Sequence, residues 1–213
     1  MILANYLVVS ITHRLKGDAM LANTLLAAED SILIAIDVQP VFLCKLAPGE
    51  HEALLQRICW LIGVANWLDV PLVVTAEDIL RDGTVDDQVA QHMLPNTPIY
   101  NKMVFDLAAD TTIRAAVNQV RRRTAVLVGL ETDVCVAHSA LGLLGAGYQV
   151  AVVADATGAP GTAHHFGLDR IRGAGGVIVG AKGLFYEWLR TVEQARRFRD
   201  ACAHLGIPEG IRL

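Results

Sequence analysis

The sequence predicts a three-layer α/β/α domain, a mostly parallel sheet with helices on both faces. Short apolar runs recur at residues 32–36, 72–74, 125–128, 150–153 and 177–179. Each is continuous rather than alternating, the pattern of a strand buried on both faces. Segments of helical spacing separate them, and repeated strand–helix units imply parallel pairing through crossovers. The 213 residues, 53% hydrophobic and 19% charged, suffice for one domain with a sizeable core.

Taken in order, the first run ends at Asp37, and Leu54, Leu55, Ile58, Leu61, Ile62 and Ala65 follow with helical spacing. Pro71 introduces the run at 72–74. Residues 77–98 are polar and weakly patterned, which predicts a long loop with a short helix. Asp110 is placed to cap a helix carrying Ile113, Ala116, Val117 and Val120 on one face. The run at 125–128 ends at Gly129, and Thr132 or Asp133 can cap the next helix, whose apolar side includes Val134, Ala137, Leu141 and Leu144. A helix over 162–174 separates the last two strands. The segment 184–205 reads as helical with a break near Thr191.

Residues 1–30 read as an N-terminal extension and 31–213 as a single domain, with Met20 just before the first strong strand. The apolar stretch from Leu3 to Ile11 is followed by basic residues, whereas a signal peptide puts them first. No run approaches the ~18 apolar residues of a membrane span. The expectation is a cytoplasmic protein with no membrane partner. The net charge of −4 offers no broad basic face for nucleic acid. Arg121, Arg122 and Arg123 sit at a helix end, where they complement the dipole. Four cysteines lie far apart with no CxxC pair and read as reduced thiols. Gly142, Gly145 and Gly147 fall late in a helix rather than after a strand, so no dinucleotide cofactor is expected.

In Rossmann-like sheets of this kind the ligand site lies beyond the carboxyl ends of the strands. That rule selects Asp37 and the segment from Gly129 to Cys135. Cys135 would fall in the first turn of its helix, where free N–H groups and the dipole favour thiolate and lower the pKa below about 8.5. The same N–H groups can hold an oxyanion; the alternative is a buried cysteine acting as a small hydrophobe. Asp37 follows five apolar residues, and desolvation would raise its pKa toward that of a useful base; the alternative is capping a loop. Lys102 lies in the short mixed strand 100–105, either solvated or held near a pocket. Cys44, Cys59 and Cys202 lack a comparable setting. Gln39, Phe42, Thr75, Tyr100 and Val104 are candidate pocket walls because they follow strand ends. His138 reads as a packed side chain, and His164 and His165 as surface.

Together these pieces resemble the isochorismatase-like cysteine hydrolases. Ile34-Ala35-Ile36-Asp37-Val38-Gln39-Pro40-Val41-Phe42 resembles their opening strand, and Asn101-Lys102-Met103-Val104-Phe105 their lysine segment. Gly129-Leu130-Glu131-Thr132-Asp133-Val134-Cys135-Val136 resembles their nucleophile motif, and Val152-Val153-Ala154-Asp155-Ala156 the strand that follows. The resemblance spans about residues 31–190. Arg172-Gly173-Ala174-Gly175 and Leu184-Phe185-Tyr186-Glu187 resemble the isochorismatase domain-containing branch.

The resemblance implies a triad of Asp37, Lys102 and Cys135. Asp37 would take the thiol proton, Lys102 would stabilise the charges, and Cys135 would attack a small amide-like carbonyl substrate to give a thioester that water hydrolyses. It also implies a non-proline cis peptide at Leu130–Glu131 and an oxyanion hole from the N–H groups of Glu131 and Cys135. Homo-oligomers are implied too, with Phe185, Trp188 and Phe198 as candidate exposed residues. The sequence departs from nicotinamidases, which carry an Asp-x-His metal element. His51 has no partner at that spacing, so no metal is expected. Cys135 argues against vinyl-ether hydrolysis, since true isochorismatases lack that cysteine. The competing reading is a catalytically silent or redox-responsive protein with a reactive thiol.

Overall fold

The computed structural model describes residues 25–213. Six strands form one sheet: β1 Ser31–Ile36, β2 Leu72–Glu77, β3 Ile99–Lys102, β4 Thr124–Leu130, β5 Gln149–Gly158 and β6 Val177–Val179. Their order is β3-β2-β1-β4-β5-β6, and every pairing is parallel. The chain first winds outward from β1 to β3, then crosses back and winds outward from β4 to β6. The strand order therefore reverses between β1 and β4, and ligand crevices of doubly wound sheets form at that point.

A single helical turn, α1 Pro40–Leu43, follows β1, and further helices cover both faces. Strand alternation sends Leu33, Ala35, Val74, Val126, Val128 and Val153 to one face, under α2 Pro48–Trp67, α8 Ala181–Leu189 and α9 Val192–Ala201. It sends Ile32, Ile34, Ile36, Val73, Leu127 and Val152 to the other, under α5 Thr111–Gln119, α6 Ala137–Gly145 and α7 Ala163–Gly173. The first face is sealed by aromatics, with Phe185 ring centroids 5.1 Å from both Trp60 and Phe198.

The strand ends extend beyond their apolar runs. β2 continues through Thr75 and Ala76 to Glu77, and the polar stretch after it contains two short helices, α3 Ile79–Asp82 and α4 Asp87–His92. Asp110 caps α5, accepting from the N–H groups of Thr112 and Ile113. Arg190, at positive φ, separates α8 from α9, and Thr191 caps α9. Phe185, Trp188 and Phe198 are buried, which corrects their reading as exposed interface candidates. The exposed large apolar side chains include Val41, Leu80, Met103, Val104, Phe105 and Phe166.

Residues 1–24 of the expected extension lie outside the described residues. Residues 25–30 pack on the domain. The Leu26 N–H donates to Glu187 Oε2 at 2.7 Å, and Arg190 donates to the Leu25 and Leu26 carbonyls. No helix among the described residues is long and apolar enough to cross a membrane.

Candidate functional site

The site lies at the reversal point, where the carboxyl ends of β1, β2, β3 and β4 meet. Asp37 follows β1 directly. Its φ of 49° turns the chain, its N–H donates to the Thr75 carbonyl, and its side chain is fully buried. Oδ1 accepts from the Thr75 hydroxyl at 2.8 Å, and Oδ2 forms an ion pair with Lys102 Nζ at 2.9 Å. Lys102 closes β3 and is also fully buried, an unusual state for lysine that its partners explain. Its ammonium donates to the Val104 carbonyl at 2.8 Å and to Cys135 Sγ at 3.5 Å.

Cys135 reaches these groups through β4. Gly129 pairs with Ile36 at φ 118°, and a Cβ there would lie 1.9 Å from the Ile36 carbonyl oxygen. Only glycine permits that approach, so it brings the nucleophile segment against the start of the Asp37 turn. The Leu130–Glu131 peptide is cis. A single π turn, Thr132–Val136, then leads into α6. This differs from the expected side-chain cap at Thr132 or Asp133. The Glu131 carbonyl instead accepts from the N–H groups of Val134 and Val136. The Thr132 hydroxyl is bonded to His164 Nδ1 at 2.8 Å, so His164 is a half-buried brace of this turn rather than a surface residue. α7 packs closely because Gly167 lies against the Thr132 backbone, where a Cβ would come within 2.6 Å.

A fourth group, Glu77, joins the three expected ones. Its Oε2 accepts from the Cys135 thiol at 3.1 Å and lies 3.5 Å from Lys102 Nζ. The sequence reading placed Glu77 at the start of a loop. The signal that finds it is period-two alternation, since Val73, Thr75 and Glu77 share one face of β2. Gln39 holds it in place: its amide accepts from the Glu77 N–H at 2.7 Å and donates to the Glu77 and Gly83 carbonyls.

Gln39 and Thr75, two of the expected pocket walls, are buried, and their side-chain polar groups are hydrogen-bonded. Tyr100 pairs with Thr75 across β2 and β3 and lies among Leu72, Pro98, Ala116 and Val120. Phe42 is half-buried under the Lys45 ammonium, which pairs with Glu131. Val104 stands exposed beside the site and contributes its carbonyl to Lys102. His138 is half-buried against Phe105.

The electrostatics follow from burial and the two carboxylates. Burial raises the Asp37 pKa above the usual carboxylate value, against the lowering influence of Lys102 and Thr75. Burial lowers that of Lys102, but Asp37, Cys135 and Glu77 outweigh it and the net direction is upward, so the ammonium stays charged. Burial also raises the Cys135 pKa, with Asp37 and Glu77 adding to the rise and Lys102 opposing it. This direction is opposite to the sequence expectation of a depressed thiol pKa: burial, Asp37 and Glu77 together raise it more than Lys102 lowers it.

Asp37, Glu77 and Cys135 also offer ligand atoms all within 4.8 Å of one another, a set the sequence reading did not gather. The cation facing all three is the Lys102 ammonium. A separate cleft of about 460 Å³ lies beside the end of β5, lined by residues including Leu46, Arg57, Asp155 and His164.

Residues 31–182 match the isochorismatase domain family. The chain belongs to the isochorismatase family. It is 31% identical over 156 residues to isochorismatase domain-containing protein 2 of Bos taurus, covering 69% of this chain and 73% of that one. It is 28% identical over 166 residues to a secreted isochorismatase effector of Phytophthora sojae, covering 76% of this chain and 78% of the relative. Among solved structures, the YcaC product of Escherichia coli, described as an octameric hydrolase of unknown specificity, superposes with a TM-score of 0.76 at 22% identity, covering 85% of this chain and 89% of the other. A YcaC from Pseudomonas aeruginosa, solved with hexane-2,5-diol and covalent acrylamide, gives 0.75 at 19% identity, covering 87% and 98%. These two likenesses establish the fold; family membership supports a hydrolase.

Proposed function

We propose that this isochorismatase-family chain is a cysteine hydrolase that cleaves C–N bonds in small amide-like carbonyl substrates. The observation that carries the reading is the buried convergence of Asp37, Lys102 and Cys135 at the strand-order reversal. A buried lysine–carboxylate pair contributes little to stability, because desolvating both ions offsets their attraction. A packed apolar substitute would serve the fold equally well.

Asp37 Oδ2 is held at 2.9 Å by the Lys102 ammonium and keeps a second lone pair to take up a proton, the requirement for a base. The raised thiol pKa means the proton leaves only as the substrate is engaged. Cys135 Sγ attacks the carbonyl carbon, its proton passes to Asp37, and the C–S bond forms. The developing oxyanion is held by the N–H groups of Glu131 and Cys135. The N–H groups on either side of Cys135 are already committed to the Glu131 carbonyl. Collapse breaks the C–N bond, and Asp37 returns the proton to the departing nitrogen. Water, deprotonated by Asp37, then attacks the thioester and releases the acid and the thiol. Lys102 offsets the negative charge at each stage. No cofactor enters this scheme, and the substrate partner is a small molecule, not a nucleic acid or a membrane. Assembly as a homo-oligomer and residence in the cytoplasm complete the proposal.

Profiling against small amides and imides tests it. Turnover abolished by Cys135→Ala and lowered by about 10²–10⁴-fold in Asp37→Asn is expected; turnover that survives Cys135→Ala contradicts it.

A further inference from the structure

We propose that Glu77 makes this a site for substrates bearing a cationic nitrogen group, an ammonium, amidinium or guanidinium, close to the scissile carbonyl. The inference rests on the nucleophilic role of Cys135 and adds the chemistry of the substrate. Three observations carry it. Glu77 touches the nucleophile itself, at 3.1 Å. It is the group of the cluster that meets solvent, with its side chain 23% exposed while those of Asp37 and Lys102 are 0% exposed. A substrate approaching Sγ therefore meets this carboxylate. Its main chain is held in position, since Gln39 engages both its backbone N–H and its backbone carbonyl.

Charge counting gives the direction. Whether the proton sits on Cys135 or on Asp37, two anionic groups, one of them Glu77, face the single ammonium of Lys102. One negative charge remains uncompensated in a poorly solvated site. A cation on the substrate, placed against Glu77, supplies the missing charge and favours thiolate at the moment of attack. An anionic substrate group there would meet like charge.

Three methanethiosulfonate reagents of matched length, carrying a trimethylammonium, a neutral and a sulfonate tail, test this without a known substrate. Sγ attacks the reagent sulfur, a disulfide forms, and methanesulfinate leaves. Rates are followed by peptide mapping at low salt, where screening is weak. The exposed Cys44 serves as the internal reference. The cationic-to-anionic rate ratio at Cys135 should exceed that at Cys44 by about tenfold or more, as expected for a charge a few Å away. In Glu77→Gln it should fall to the Cys44 value. An equal ratio at the two cysteines, or a ratio unchanged by Glu77→Gln, would overturn the inference while leaving the nucleophile in place. Cys135 untouched by all three reagents while Cys44 reacts would remove the nucleophile, and the inference with it.

Discussion

On one face of the sheet Trp60, Phe185 and Phe198 pack ring against ring, while at the carboxyl ends of β1 and β3 an aspartate and a lysine lie fully buried. Both regions are buried, yet they meet opposite demands. The aromatic face converts burial into stability, with each ring pair adding about 0.5–1.5 kcal/mol beyond its area. The polar end pays desolvation and recovers it only through mutual attraction. The difference teaches where to look for chemistry in an apolar chain: at the buried groups that stability does not need.

Substitutions can break that division. The largest effect is expected from Cys135→Ala, a loss of turnover on the order of 10⁴-fold or more, as for removal of other nucleophiles. Its melting temperature should stay close to that of the unsubstituted protein, since a small buried side chain shrinks by one atom. Asp37→Asn should follow, with a loss of about 10²–10⁴-fold. Because the Asp37 pKa is raised, kcat/KM should fall on the acid side at a higher pH than an ordinary carboxylate would give, as pH drops through that pKa. A pH profile with its acid limb at an ordinary carboxylate value would separate Asp37 from the base role.

How much of this was legible in the sequence depends on the range of the physics involved. Parallel strands declare themselves locally, through continuous apolar runs such as residues 32–36 and 125–128. Asp37 and Cys135 stand at strand ends, and with Lys102 they follow the order of a known motif. Glu77 was hidden because Thr75 interrupts the apolar run and makes the end of β2 look like a loop. The π turn was hidden because Thr132 has the character of a cap, while its hydroxyl is taken by His164, 32 residues away. The thiol pKa ran opposite to expectation because its direction depends on groups from β1, β2 and β3 that meet only in the folded chain.

Two further substitutions sharpen the contrast by comparing stability in the two regions. Lys102→Met leaves Asp37 buried without its cation and should cost about 3–5 kcal/mol near neutral pH. The folded-state pKa of Asp37 would then rise further. The variant should therefore regain stability at low pH, where Asp37 is protonated, and lose it as pH rises. Trp60→Ala should cost a similar ~3–5 kcal/mol by opening a cavity, with no such pH dependence. Chemical denaturation across pH reads both. Matching pH profiles for the two variants would contradict the buried ion pair. The smallest effect is expected from chelation: dialysis against EDTA should leave turnover unchanged, because Lys102 faces the three potential ligands. Activity lost with EDTA and restored by zinc or manganese would place a metal there instead.

The central claim is that Cys135 forms an acyl-enzyme with Asp37 as base, and a generic acyl donor tests it directly. Treating the protein with p-nitrophenyl acetate and quenching early should give an acetyl adduct by intact mass, mapped to Cys135. Hydroxylamine should remove the adduct as the hydroxamate, and both Cys135→Ala and Asp37→Asn should fail to form it at a comparable rate. An adduct found only on Cys44, or equally fast on Cys135 in Asp37→Asn, would contradict the account.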